Sequence, residues 1–362
     1  MIYKSALLCA ILFFIFGCDE NPTYTSDKMV ETEINIENKP QNSLDDRPVM
    51  FYNVENLFDT ENDPKNPGDD DFTSNSEMLW NPERYEKKLE NLEKALFYAN
   101  GKAPLMCGFA EIENRKVLED LIKTNRLAKE KYKITHFDSE DRRGMDCGFI
   151  YDDSRFTPTL ETKLTIRMDD DPNFRTRDIL YIKGELNNGK VLHVFVNHWS
   201  SKREGEAETE PRRIQAAKTL RTKVDEILNF DEDANIVIMG DFNDTPMHKS
   251  IRDVLRARGE HELKKGDLVN LFLSEQKKDV GTAVHQRDWD VIDQLIVSKG
   301  IIQGQSGLRI LKDSEHIVRH DDLLYFYKDG GSKPNSTYGG ERYFGGFSDH
   351  LPVSMTLIGT DD

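Results

Sequence analysis

The segment Asn235–Pro246, NIVIMGDFNDTP, decides how this chain is read. Ile236 to Gly240 form a short apolar run with the length and composition of a buried strand. The run ends on Asp241, Asn243 and Asp244. An ionised carboxylate is costly to bury unless something pairs with it, so these residues are not there for packing. Their spacing puts Asp241 and Asn243 on one face of an extended segment, where both can address a single reacting group.

Four other apolar runs end the same way. They deliver Asn53 and Glu55 in FYNVEN, Glu111 in GFAEIEN, Asn197 and His198 in VFVNHWSSK, and Ser348, Asp349 and His350 in GFSDHLPV. One polar strand end is a turn or a cap. Five of them imply that the ends of central strands converge on one polar site.

The elements between these ends mix strands and helices. Asn81 and Pro82 supply a cap and a first-turn proline for a helix with Tyr85, Leu89, Leu92, Leu96 and Ala99 on one face. A second long helix is expected from Pro211, with Ile214, Ala217, Leu220, Val224 and Ile227 facing inward, and a short one over about Met247–Arg258. Strands are expected over Leu160–Met168 and Trp289–Ser298, and a hairpin joins DILYIKGEL to KVLHVFVNHW across NNG. Cys107 and Cys147 lie in similar Cys-Gly-Phe runs that read as neighbouring buried strands, and are expected to be small core residues, not a disulfide. The acidic loop at 59–77 lacks the ligand order of an EF-hand and reads as solvated. There is no internal repeat and no Gly-rich phosphate loop. The pattern predicts an α/β chain of the α+β type: one domain over 48–359, with two packed sheets and helices outside.

The 362 residues carry a net charge of -17, which argues against a protein that grips polyanions through a basic surface. Phosphate must then be handled locally, by a metal ion or a few placed cations. The first residues, MIYKSALLCAILFFIFGC, hold an apolar run from Ala6 to Phe16 that is too short to span a bilayer and reads as a secretory signal over 1–17. Its end, IFGC, resembles a bacterial lipobox, which implies lipid on Cys18 and a flexible tether over 18–47. The expectation is an exported, envelope-anchored lipoprotein of a Gram-negative cell that meets the membrane through its lipid alone.

With GDFND followed by SDHLPV, the chain resembles the endonuclease/exonuclease/phosphatase superfamily, the metal-dependent phosphoesterases that include DNase I. The likeness runs from about Pro48 to Leu357 and implies a four-layered α/β sandwich of two mixed, mainly antiparallel sheets flanked by helices. It implies that Glu111 is the principal ligand of a Mg²⁺ ion, with Mn²⁺ or Ca²⁺ as alternatives, and that Asn53, Glu55 and Asp349 complete that site. It casts Asp241 as orienting and deprotonating the attacking water and Asn243 as holding a phosphate oxygen. It sets His350 opposite as charge stabiliser, with Asp293 orienting it, and leaves open which of Asp241 and His350 is the base. His198 is implied as general acid for the leaving alcohol; Glu113 is expected to cap the following helix. Arg143, Arg177 and Asn197 are candidates for touching the substrate.

The expected activity is a nuclease acting on DNA or RNA outside the cytoplasm, as a monomer. The alternatives are a phosphomonoesterase or a sphingomyelinase-like phosphodiesterase. A binding module that has lost catalysis is a further alternative, but every core position is filled.

Overall fold

Along Pro48–Leu57, Val49 and Phe51 point to one side and Met50 and Tyr52 to the other, and all four are fully buried. A strand apolar on both faces must lie inside a stack of layers. The computed structural model describes residues 44, 46–64, 66, 68–275 and 280–360. The expected signal, Cys18 and nearly all of the tether lie outside the described residues.

The first large sheet has the order β14-β20-β1-β2-β4-β3, where β1 is Pro48–Leu57, β2 Met106–Ile112, β3 Tyr132–His136, β4 Asp146–Asp152, β14 Leu308–Ile310 and β20 Val353–Gly359; β15 (His316–Ile317) also pairs with β20. The second has the order β5-β6-β7-β8-β13-β10-β9. Here β5 is Phe156–Leu164, β6 Ile179–Leu186, β7 Val191–His198, β8 Ile236–Asp241, β9 Ala257–Arg258, β10 Leu268–Asn270 and β13 Asp293–Ser298. Three small hairpins lie apart: β11–β12 (Ala283–His285, Asp288–Asp290), β16–β17 (Leu324–Phe326, Ser332–Pro334) and β18–β19 (Tyr338–Gly339, Arg342–Tyr343). Both large sheets are mixed and mainly antiparallel, as expected.

Facing side chains of the two sheets form the central core, with Phe51, Met106 and Phe149 of one against Val194, Val196, Val237 and Met239 of the other. The outer face of the first sheet is covered by α1 (Pro82–Phe97) and α2 (Arg115–Leu121) through Leu92, Leu96, Val117 and Leu118. The outer face of the second is covered by α3 (Glu206–Phe230) through Ala217, Leu220 and Val224. A short α4 (Lys299–Gln303) follows β13. This is the expected four-layered sandwich. At Gly108 the sheets approach so closely that an added Cβ would lie 2.5 Å from Met239 Sδ.

Several local expectations change. Helix α3 begins at Glu206, not Pro211, which lies inside it. Ala207, whose carbonyl Pro211 cannot bond, is exposed, so water can satisfy it. The helix expected over Met247–Arg258 is only a wide turn, closed by the Leu255 amide donating to Ser250 O at 2.9 Å. Arg256, with φ 62°, then turns the chain into β9. The strand expected at Trp289–Ser298 divides, with Trp289 in β12 and Asp293 opening β13. β5 starts at Phe156 and ends at Leu164, earlier than expected. Cys107 and Cys147 are free and buried on adjacent strands β2 and β4, on opposite faces of the sheet.

Candidate active site

Each large sheet holds a central parallel pair, β1 beside β2 and β7 beside β8. Parallel neighbours end at the same edge, so Asn53, Glu111, His198 and Asp241 arrive together. Register sets His198 beside Asp241 and Asp241 beside Asp293. Beyond this line the backbone turns sharply: Glu55, Asn56, Glu111 and Asn243 have φ of 50°, 52°, 64° and 51°. Left-handed conformations cost a residue with a Cβ of order 1 kcal/mol or more, and here they aim polar side chains at one point.

Contacts across the seam between sheets define the centre. Asn53 Nδ2 donates to Asp241 Oδ2 at 3.0 Å, and the Asn243 amide donates to Asp241 Oδ1 at 2.9 Å. His350 Nδ1 lies 2.7 Å from Asp293 Oδ2, while its Nε2 is 3.9 Å from Asp241 Oδ2. His198 Nε2 faces both Asp241 Oδ2 at 3.6 Å and Glu111 Oε1 at 3.7 Å. Ser348 ties the His350 loop to β1 by donating from Oγ to Asn53 O at 2.7 Å. The structure therefore brings Asn53, Glu111, His198, Asp241, Asn243, Asp293 and His350 together.

Electrostatics separate their roles. Burial first, then the Asp293 carboxylate, raise the Asp241 carboxyl to about 7, against the pull of His350 and two hydrogen bonds. Burial alone would lower His350, but Asp293, then Asp241 and Asp349, hold it well above the ordinary imidazole value, and so protonated. His198 goes the other way, lowered by burial and then by Arg177 and Arg143. A neutral His198 donates one hydrogen bond, which does not suit the expected general acid.

The remaining expected residues divide by what they touch. Both Glu55 oxygens accept backbone N–H bonds, from Thr337 at 2.6 Å and Tyr338 at 3.1 Å, so Glu55 clamps that loop. Asn197 is fully buried, donating to Met239 O and accepting from Trp199 Nε1. Arg177 is also buried, with its fork spent on Asp141 Oδ2 at 3.0 Å and Trp199 O at 2.6 Å. Arg143 has a half-open side chain, 41% exposed, above Asp141. Glu113 does not cap α2: Asn114 accepts from the Val117 amide, and Glu113 accepts from the Asp59 amide at 2.8 Å instead.

Sequence reading missed Lys88. Burial lowers its ammonium to about 8 even though the Glu55, Asp349 and Glu111 carboxylates oppose that shift. Its Nζ donates to Thr337 Oγ1 at 2.5 Å and to Phe347 O at 2.7 Å, pinning the segment that leads to His350. The signal was present: Lys88 falls inside the apolar stripe Tyr85–Leu89–Leu92. A second missed pair is Arg213 with Asp244, fully buried at 2.8 Å, which fixes the loop after Asn243.

The donor set fits a hard divalent cation. Glu111 accepts the Asn56 amide at Oε2 and keeps Oε1 free of backbone, and Asp349, 56% exposed, has its Oδ1 3.9 Å from His350 Nε2. Asp293 Oδ1 and His198 Nδ1 are buried with no hydrogen-bond partner. Glu111 and Asp349 would hold the ion, with Asn53 supporting Asp241 behind them.

A strand-end constellation of acids, histidines and an asparagine, spanning two sheets, can orient a water for attack and stabilise negative charge as it develops on the group attacked. The sequence pattern of the Endonuclease/Exonuclease/phosphatase family matches residues 48–358, and the chain belongs to that family, which is generally dependent on a divalent metal. Among solved structures it is similar to the endonuclease/exonuclease/phosphatase from Bacteroides vulgatus, at 13% identity and TM-score 0.53 over 87% of this chain and 99% of that one. It is also similar to a Bacteroides thetaiotaomicron mannosyl-6-phosphatase, at 14% identity and TM-score 0.50 over 86% and 99%. A third is D. rerio TDP2 complexed with single strand DNA product, at 13% identity and TM-score 0.50 over 86% and 98%. At these identities the likeness shows the fold. Among curated protein sequences, none matches the chain.

Proposed function

We propose that the protein is a divalent-metal-dependent nuclease that hydrolyses phosphodiester bonds of DNA or RNA outside the cytoplasm. The observation that carries this reading is the opposed pair Asp241 and His350, 3.9 Å apart, one held near neutrality as a carboxyl and the other held charged. Asp241, once ionised, takes the proton of the attacking water, and a pKa near the working pH suits that task. His350, kept protonated by Asp293, stabilises negative charge as it develops on phosphorus. Asn243 Nδ2 donates one hydrogen to Trp199 O at 3.1 Å and has a second to offer a phosphate oxygen. His198 Nε2 offers another donor. A bound Mg²⁺ would draw charge from the phosphate and steady the leaving oxygen.

The test uses plasmid DNA, RNA and a phosphomonoester with Mg²⁺ or with a chelator. Nicking that needs the metal, and falls about 10²–10⁴-fold in Asp241→Asn and in His350→Ala, is the expected result. Release of inorganic phosphate from the monoester with every strand intact would replace the nuclease by a phosphomonoesterase.

The setting follows from the sequence: export, and anchorage by lipid on Cys18. Cys18→Ser should move the protein from the membrane fraction to the soluble one. An unchanged distribution would end the anchor reading.

A further inference from the structure

Next to the catalytic residues lies a hollow of 330 Å³ whose walls contradict the charge of the chain. Arg142, Arg143, Arg175, Arg177, Arg203 and Arg212 line it, against two carboxylates, Asp141 and Glu204. The net charge of the whole is -17, so this is a local inversion of sign. The two acids are already committed, Asp141 to Arg177 and Arg143, and Glu204 to Arg212 at 2.9 Å. Arg175 pairs outward with Glu140 at 2.6 Å. Among the described residues, Arg142 and Arg203 form no ion pair, and both are exposed.

The arginines crowd one another. Burial first, and then Arg177, lower the Arg143 guanidinium, with Arg203 adding to the effect. Like charges gathered this closely, with two left unpaired, are arranged for an anion that arrives from outside. The hollow also shares a wall with the catalytic site. Trp199 O accepts from Arg177 at 2.6 Å and from Asn243 at 3.1 Å, and Ser200 and Ser201, the next two residues, line the hollow. Phe174 adds an aromatic face, with the Arg212 guanidinium 5.7 Å from its ring.

We infer that this arginine hollow binds a second phosphate group of the substrate, the one adjacent to the scissile phosphate along a nucleic-acid strand. The inference rests on the nuclease reading for the source of that phosphate. Arg142 and Arg203 supply the free forks and Phe174 a surface for the intervening base. An acidic protein can thus hold a polyanion through a single cationic pocket, with no basic surface.

The experiment measures binding of two labelled probes, a dinucleotide with one phosphodiester and a tetranucleotide with three, to the full-length chain carrying Asp241→Asn, with Mg²⁺ present. The tetranucleotide should bind about tenfold tighter, since charged forks on phosphate are among the stronger hydrogen bonds. Adding Arg142→Ala and Arg203→Ala should remove most of that preference. It should also lower the salt dependence of tetranucleotide binding by about 0.7 in log–log slope, the contribution of the one phosphate that the pocket neutralises. Arg142→Lys with Arg203→Lys should restore the slope, which separates charge from misfolding. Equal binding of the probes by the parent, or a preference and slope that survive the alanine pair, overturns the inference even if the wild-type chain cuts DNA. A sugar bisphosphate preferred over its monophosphate, with the same arginine dependence and no tetranucleotide preference, would keep the second-phosphate site and remove the nuclease reading.

Discussion

Asp293 acts through its neighbours. Its carboxylate raises His350 and, at the same time, raises Asp241. Asp241 must be ionised to accept a proton, so activity should rise as pH climbs through about 7. His350 must be protonated, so activity should fall only at a pH well above the ordinary imidazole value. In Asp293→Asn the amide oxygen can still accept from His350 Nδ1, but the charge is gone. Both limbs of the pH–rate profile should then move to lower pH together. Limbs that stay in place would show that Asp293 positions the ring without tuning either group. The chemistry of Asp241 and His350 was legible in the sequence because each lies at the end of an apolar run, whereas Asp293, expected inside a strand over Trp289–Ser298, was reached only through the family resemblance. What was not legible is how far their charged neighbours divide two equally buried histidines, carboxylates holding His350 toward the charged form and arginines adding to burial in driving His198 toward the neutral one. Residue type gives both the same starting pKa, and only the neighbours differ.

Helix α1 shows how an element outside the site governs it. Its Lys88 reaches through the layer to Thr337 Oγ1 and Phe347 O, and the same segment donates its Thr337 amide to Glu55. Lys88→Met keeps the length of the stem and removes the donor. Two buried acceptors lose their partner, so unfolding free energy should fall by about 1–3 kcal/mol in chemical denaturation. The loosened segment carries His350, so kcat should fall about tenfold or more at unchanged metal and substrate. A stability loss with kcat intact would confine Lys88 to a structural role. Most elements could be read from apolar periodicity, including the capped start of α1 at Asn81 and the hairpin across Asn187–Gly189. Two of the failures share one cause. The start of α3 and the turn after Met247 depend on side-chain partners distant in sequence: Arg213, from within the helix, meets Asp244, which accepts Ser250 Oγ at 2.6 Å. Local propensity carries no record of such partners.

At the scale of the molecule, two sheets contribute in equal part. Residues 156–298 build one, and the chain on either side of them builds the other. The close approach at Gly108 sets their spacing, with Val196 Cγ1 at 3.0 Å beside Met239 from the position of an added Cβ. Gly108→Val should therefore destabilise by about 1–3 kcal/mol through overpacking, and Met239→Ala on that background should recover part of the loss. Equal melting temperatures for Gly108→Val and the parent would show that the interior yields freely. The sandwich was legible from strand ends and periodicity, whereas this spacing was not, because a glycine in a strand looks the same whether it faces solvent or the packed side chains of another sheet. The Asn53–Asp241 bond joins the two sheets directly, and the His350–Asp293 bond joins the second sheet to the loop that leads into β20 of the first. Catalysis thus behaves as a vernier on interlayer alignment: a lateral slip too small to melt any strand would misregister both pairs at once, and turnover would cease in a protein whose secondary structure was intact.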